Sequence, residues 1–141
     1  MLELILILNA LWFAMGFHTF YIRRKVFAKV IVPRENRDTP VFQTLVETGR
    51  FMGGFNLAFA VLNLLLLFNT GAFDKEIQWA ILLVVNAVAH GSQFAANVPI
   101  ALQNRNGGGV WNVFKGLMLF IFVVDFVLMI FNAIFAAAYV L

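Results

Sequence analysis

Residues 77–102 read IQWAILLVVNAVAHGSQFAANVPIAL, with no Lys, Arg, Asp or Glu among them. As an α-helix this run is roughly 39 Å long, more than the roughly 30 Å of a bilayer's hydrocarbon core. Three further long, predominantly apolar runs occupy residues 4–22, 41–68 and 110–140. The pattern predicts an all-α, polytopic membrane protein: one four-helix transmembrane bundle filling residues 1–141. Composition agrees. Of the 141 residues 62% are hydrophobic and 12% charged, against about 45–50% and about 25% in soluble domains, and the mean hydropathy is +0.89. Four spans with short connections leave no room for a separate soluble domain. The first run is too long for a cleaved signal and carries its basic flank, Arg23, Arg24 and Lys25, after the apolar stretch, so it is expected to remain as a helix.

The charges set an expected direction. Arg23, Arg24, Lys25, Lys29, Arg34, Arg37, Arg50, Arg105 and Lys115, nine of the ten basic residues, fall at one end of such a bundle, and Lys75 alone at the other. Cytoplasmic loops collect Lys and Arg, so loops 23–40 and 103–109 are expected to be cytoplasmic and both termini non-cytoplasmic. This also accounts for the net charge of +3 without a nucleic-acid partner; the lipid bilayer is the expected partner. The segment from Val26 to Pro40 is expected to be an ordinary hairpin, although Val26, Phe27, Val30, Ile31 and Val32 could instead lie on the headgroups. Asp38-Thr39-Pro40 predicts a cap with proline at the first helical position.

Polar residues inside the spans are the candidate chemistry, because a polar group in hydrocarbon costs free energy unless it finds a partner. On the third span Asn86, His90, Gln93 and Asn97 share one helix face. On the second, Gly49, Gly53, Asn56, Ala60 and Asn63 form a small-and-polar stripe against which another helix can pack. The fourth contributes Asp125 and Asn132, the first Asn9 and His18. At 1.5 Å per residue, Asn56, His90 and Asp125 all lie roughly 15–22 Å from the basic end. The expected ligand or proton pocket is therefore Asn56, His90, Gln93 and Asp125. Asp125, between Val123, Val124, Phe126 and Val127, must keep its proton or be paired, and His90 is the candidate partner. A second polar tier near the basic end comprises His18, Glu47, Arg50 and Asn97, with Glu47 and Arg50 spaced to pair along one helix. Trp12 sits mid-span, away from the interfacial belts. Pro99 is expected to kink its helix.

Other chemistries find little support. The chain has no Cys, which removes disulfides, thiol nucleophiles and every cysteine-based cofactor. A bis-histidine haem needs both rings at one depth, and His18 and His90 differ by roughly 10 Å. No metal-ligand spacing is present, and Ser92, the one serine, has nothing to activate it. Catalytic residues and cofactor are left unassigned.

The run Glu47-Thr-Gly-Arg50-Phe-Met-Gly53-Gly54-Phe-Asn-Leu-Ala-Phe-Ala resembles the second helix of DoxX-like small membrane proteins. The segment Ala89-His90-Gly91-Ser92-Gln93-Phe94, followed by Asn106-Gly107-Gly108 and a long last helix, resembles that family's third helix and turn. Asn9 stands where the family often carries an arginine. The resemblance implies a four-helix bundle of the bacterial inner membrane, in a family with links to quinone and thiosulfate chemistry. The layout is also faintly similar to that of the membrane-associated eicosanoid and glutathione enzymes.

Three functions follow as expectations. The first is a polar pocket that binds a quinone-like or other amphipathic small molecule or relays protons. The second is an accessory or assembly subunit whose stripes bind its own helices, a membrane-protein partner or a second copy. The third is an embedded enzyme using His90 and Asp125 as acid and base.

Overall fold

The computed structural model describes residues 1–141 and is all-helical, without strands. Helix α1 runs Leu2–Phe17 and continues as a π-helical turn, His18–Ile22. The short α2 covers Arg24–Ile31, α3 Pro40–Phe68, α4 Glu76–Arg105 and α5 Gly116–Ala138. Four helices, α1 with its π turn, α3, α4 and α5, are long and apolar enough to cross a membrane. Their outward surface is apolar: Phe51, Phe55, Leu65, Phe68, Val88 and Ile134 are all well exposed. The buried interior is where the amides lie, with Asn9, Asn63, Asn86, His90 and Asn132 fully enclosed. A soluble bundle would have the reverse distribution.

Two close pairs, α1 with α3 and α4 with α5, build the bundle. Glycines set the first approach. A Cβ at Gly53 would stand 2.6 Å from Tyr21 Cβ and 2.8 Å from Tyr21 N, and one at Gly49 would stand 2.8 Å from Phe20 O. Both partners belong to the π turn, where one extra residue per hydrogen-bonded ring (Arg23 N to His18 O, 2.8 Å) widens the helix and carries its backbone onto α3. Gly16 admits the Asn56 side chain in the same way. At the far end Leu6, Leu66 and Trp79 pack together under Leu2 and Tyr139. The first turns of α1 and α4 thus meet the last turns of α3 and α5.

Thr39 caps α3 as expected: its Oγ1 accepts from Phe42 N at 3.2 Å, with Pro40 at the first position. Helix α4 passes through Pro99 without a break. Two connections differ from the sequence reading. Residues 24–31 form a helix instead of a plain hairpin, because Ala28 buries against Phe42 and Val46 on α3 and Phe27 packs edge-on against Phe20 of the π turn. Arg37 then closes that helix, donating to Val32 O at 2.9 Å and to Lys29 O. The last helix starts at Gly116, not at residue 110. The intervening residues are held by Asn104, whose Nδ2 donates to Gly108 O and Trp111 O, both at 2.9 Å, and whose Oδ1 accepts from Val113 N at 2.8 Å. Gly107 and Gly109, at φ +78° and +105°, supply the left-handed backbone that this clamp requires.

Candidate functional site

Midway along the bundle, all four long helices send polar side chains inward. Asn63, Asn86 and Asn132 each donate from Nδ2 to the carbonyl one turn back, Phe59 O at 2.9 Å, Leu82 O at 3.1 Å and Leu128 O at 2.8 Å. Such a back-bond parks one amide hydrogen on the residue's own helix and aims the remaining groups at neighbours. Asn63 Nδ2 also donates to Asn86 Oδ1 at 2.9 Å, linking α3 to α4. Asn9 on α1 is the hub. Its Nδ2 donates to Asn132 Oδ1 at 2.9 Å and to Asn63 Oδ1 at 3.3 Å, and its Oδ1 accepts from Asn132 Nδ2 at 2.9 Å.

His90 joins these amides to the single buried carboxyl group. Its Nε2 lies 3.2 Å from Asn9 Oδ1 and its Nδ1 3.2 Å from Asp125 Oδ1. The imidazole stacks on Phe13, with centroids 4.6 Å apart and planes at 20°, and Phe13 stacks in turn on Phe59. Trp12 Nε1 donates to Asp125 Oδ1 at 2.7 Å. One oxygen therefore receives both protein contacts. Every buried side-chain nitrogen and oxygen has a partner, and Asp125, whose Oδ2 makes no hydrogen bond, lines a partly open cavity.

That cavity measures about 60 Å³ and lies between α1, α3, α4 and α5, with Trp12, Gly16, Thr19, Asn56, Gln93 and Asp125 in its wall. A water site needs about 10–15 Å³ on this scale, so it holds a few waters or one polar head and not a whole drug-sized ligand. Phe13, Asn56 and Gln93 also border a wider apolar groove of about 400 Å³, which runs outward between α3 and α4 past Phe55, Val84 and Val88. The Asn56 amide nitrogen is held by Met52 O at 2.8 Å, and Gln93 is exposed.

The four residues of the expected pocket are thus divided. Asn56, Gln93 and Asp125 line the cavity, while His90 is sealed behind Asp125 and Phe13. Asn9, Trp12, Asn63, Asn86 and Asn132 were absent from the expected pocket and make most of the network. One signal for Trp12 was available: an indole N–H at mid-span needs an acceptor. The second tier does not assemble as a unit. Glu47 pairs with Arg50 at 3.0 Å and with Arg24 of α2 at 3.2 Å. Asn97 accepts from Trp111 Nε1 at 3.1 Å and donates to Gln93 O. His18 faces outward. Searches against protein-family models, curated proteins and solved structures find no match to this chain.

Proposed function

We propose that this chain is a small integral membrane protein that binds a quinone-like or other amphipathic small molecule at the Asp125 cavity and handles a proton there. The observation that carries the reading is the unpartnered Asp125 Oδ2 facing a cavity whose wall continues into an apolar groove. A polar head fits the cavity and a hydrocarbon tail the groove, the division that an amphiphile drawn from a bilayer needs. The resemblance of the α3 and α4 segments to DoxX-like inner-membrane proteins favours the same ligand class. On the basic-residue count, the connections at 23–40 and 103–109 face the cytoplasm and both termini face away from it.

The test is binding of decyl-ubiquinone and its quinol to protein in lipid nanodiscs. The readout is Trp12 fluorescence in a background where Trp79→Phe and Trp111→Phe remove the other two tryptophans. Saturable quenching that Asp125→Asn weakens at least tenfold supports the reading; a folded variant that binds like the parent refutes it.

A second reading, as an accessory subunit, rests on the open groove between α4 and α5 formed by Ala80, Ala87, Gly91, Ala95, Ala133 and Ala136. Small residues of this kind admit another helix at close range. A stoichiometric membrane partner, or a second copy, retained through purification in mild detergent would favour it.

A further inference from the structure

The directions of the amide hydrogen bonds carry chemical information. A backbone carbonyl only accepts, so the atoms bonded to Phe59 O, Leu82 O and Leu128 O must be the NH₂ groups of Asn63, Asn86 and Asn132. Their oxygens are thereby assigned as well, and Asn63 Oδ1 and Asn132 Oδ1 both face Asn9. Asn9 must present its NH₂ to those two oxygens, since reversing its amide would set oxygen against oxygen at both contacts and nitrogen against nitrogen at Asn132. What remains is Asn9 Oδ1, an acceptor, 3.2 Å from His90 Nε2. His90 Nε2 has to donate.

We propose that the asparagines form a one-way relay, Asn86 to Asn63 to Asn9, locked by Asn132, that keeps a proton on His90 Nε2 and thereby makes the cavity a receptor for a hydroxyl group. With Nε2 protonated, the Nδ1 contact to Asp125 Oδ1 holds one proton, either as imidazolium donating to carboxylate or as carboxylic acid donating to neutral imidazole. In both forms the proton lies on the line between Nδ1 and Oδ1, and the pair is neutral overall. In both, Oδ2 meets the cavity as an acceptor. Asn56 lines the same pocket, its nitrogen held by Met52 O and its oxygen packed beside Gly16, so Asp125 Oδ2 is the acceptor on which the preference rests. The ligand head that fits is a neutral hydrogen-bond donor, a phenol, quinol or alcohol, in preference to the same skeleton with its oxygen capped. A site built for a hydroxyl discriminates strongly against an analogue without one, because its buried acceptor is left unpaired. Asn9, Asn63, Asn86 and Asn132 are positioning residues that act through His90.

The inference rests on the cavity reading above, and its test separates the two. Protein with His18→Gln retains His90 as its one histidine. With ¹⁵N-labelled histidine in nanodiscs, the two ring nitrogens report their protonation directly, without any ligand. Nε2 is expected to be protonated in the parent and to lose that fixed state in Asn9→Leu. An unprotonated Nε2 in the parent overturns the relay whether or not the variant folds, as does a folded Asn9→Leu with unchanged nitrogen shifts. The same sample is then titrated with 4-nonylphenol and with its methyl ether, 4-nonylanisole. The phenol is expected to bind at least tenfold tighter and to move the Nδ1 resonance. Equal responses overturn the donor preference. No response to either probe, with Nε2 protonated, overturns the cavity reading and the hydroxyl assignment and leaves the relay standing.

Discussion

Asp125 Oδ1 lies 2.7 Å from Trp12 Nε1 and accepts a hydrogen bond from it, a bond that joins α1 to α5 across 113 residues. The same oxygen faces His90 Nδ1, so one atom ties three helices together while its partner oxygen meets the cavity. The order of effects at position 125 follows. Asp125→Leu strands an indole N–H and an imidazole nitrogen in the interior and should lower stability by about 1–3 kcal/mol per stranded group. Asp125→Asn keeps an oxygen for Trp12 and should cost less. Unfolding in SDS–detergent mixtures ranks the two, and equal losses would show that the hydrogen bonds at Oδ1 are not what holds the helices.

Asn9 and Asn56 look alike in sequence, each an amide in a long apolar run, and should behave differently. Asn9→Leu removes interhelical partners from Asn63, Asn132 and His90 together and should destabilise by about 1–3 kcal/mol. The amide of Asn56 bonds only to its own helix, at Met52 O, so Asn56→Ala, which adds no bulk beside Gly16, should cost no more than about 1 kcal/mol. The same unfolding assay decides, and a larger effect at position 56 would contradict the assignment of the network.

The neighbouring glycines on α3 make a second contrasting pair. Gly53→Ala would push a methyl group to within 2.6 Å of Tyr21 Cβ and 2.8 Å of its backbone nitrogen, which should cost about 1–3 kcal/mol through displacement of the π turn. At Gly54 nothing lies within 4 Å of an added Cβ. Gly54→Ala should therefore be neutral or stabilise by up to about 1 kcal/mol through helix propensity alone. Thermal melts of both variants in one detergent provide the comparison.

Glu47 bonds Arg24 and Arg50 from a side chain that is 55% exposed. Solvent screening limits such pairs to at most about 1 kcal/mol, so Glu47→Gln should have a small effect that shrinks further in high salt. A loss of several kcal/mol that persists in high salt would mean that Glu47 is buried by a neighbour in the assembled protein.

Much of the architecture was readable in the chain because membrane helices are specified by length and polarity alone. A run such as 77–102 has to satisfy its backbone internally wherever it lies in hydrocarbon, and only a helix does that within one segment. The caps of α3 were equally local: Thr39 and Pro40 act within one turn. Where the chain makes irregular structure, local rules fell short. Residues 110–115 are apolar enough to continue a helix, yet Asn104, on the preceding helix, captures their backbone groups. Residues 24–31 become helical because Phe42 and Val46 offer a surface for Ala28, and Phe20 one for Phe27. Neither influence is visible inside the segment it acts on.

Sequence by itself determined four long apolar helices, the polar residues they carry at mid-span, and the concentration of basic residues at one end. Helical periodicity also placed Asn86, His90, Gln93 and Asn97 on one face, but a face spans several partners. Only the tertiary structure decided which of them turn toward each other. Helix rotation and pairing enclosed His90 and left Gln93 exposed; they gave Asp125 to Trp12 as well as to His90, and made Asn9 the hub. The physical reason is that hydrogen-bond partners here are separated by 23 to 123 residues, so their pairing depends on how rigid helices pack and not on any spacing along the chain.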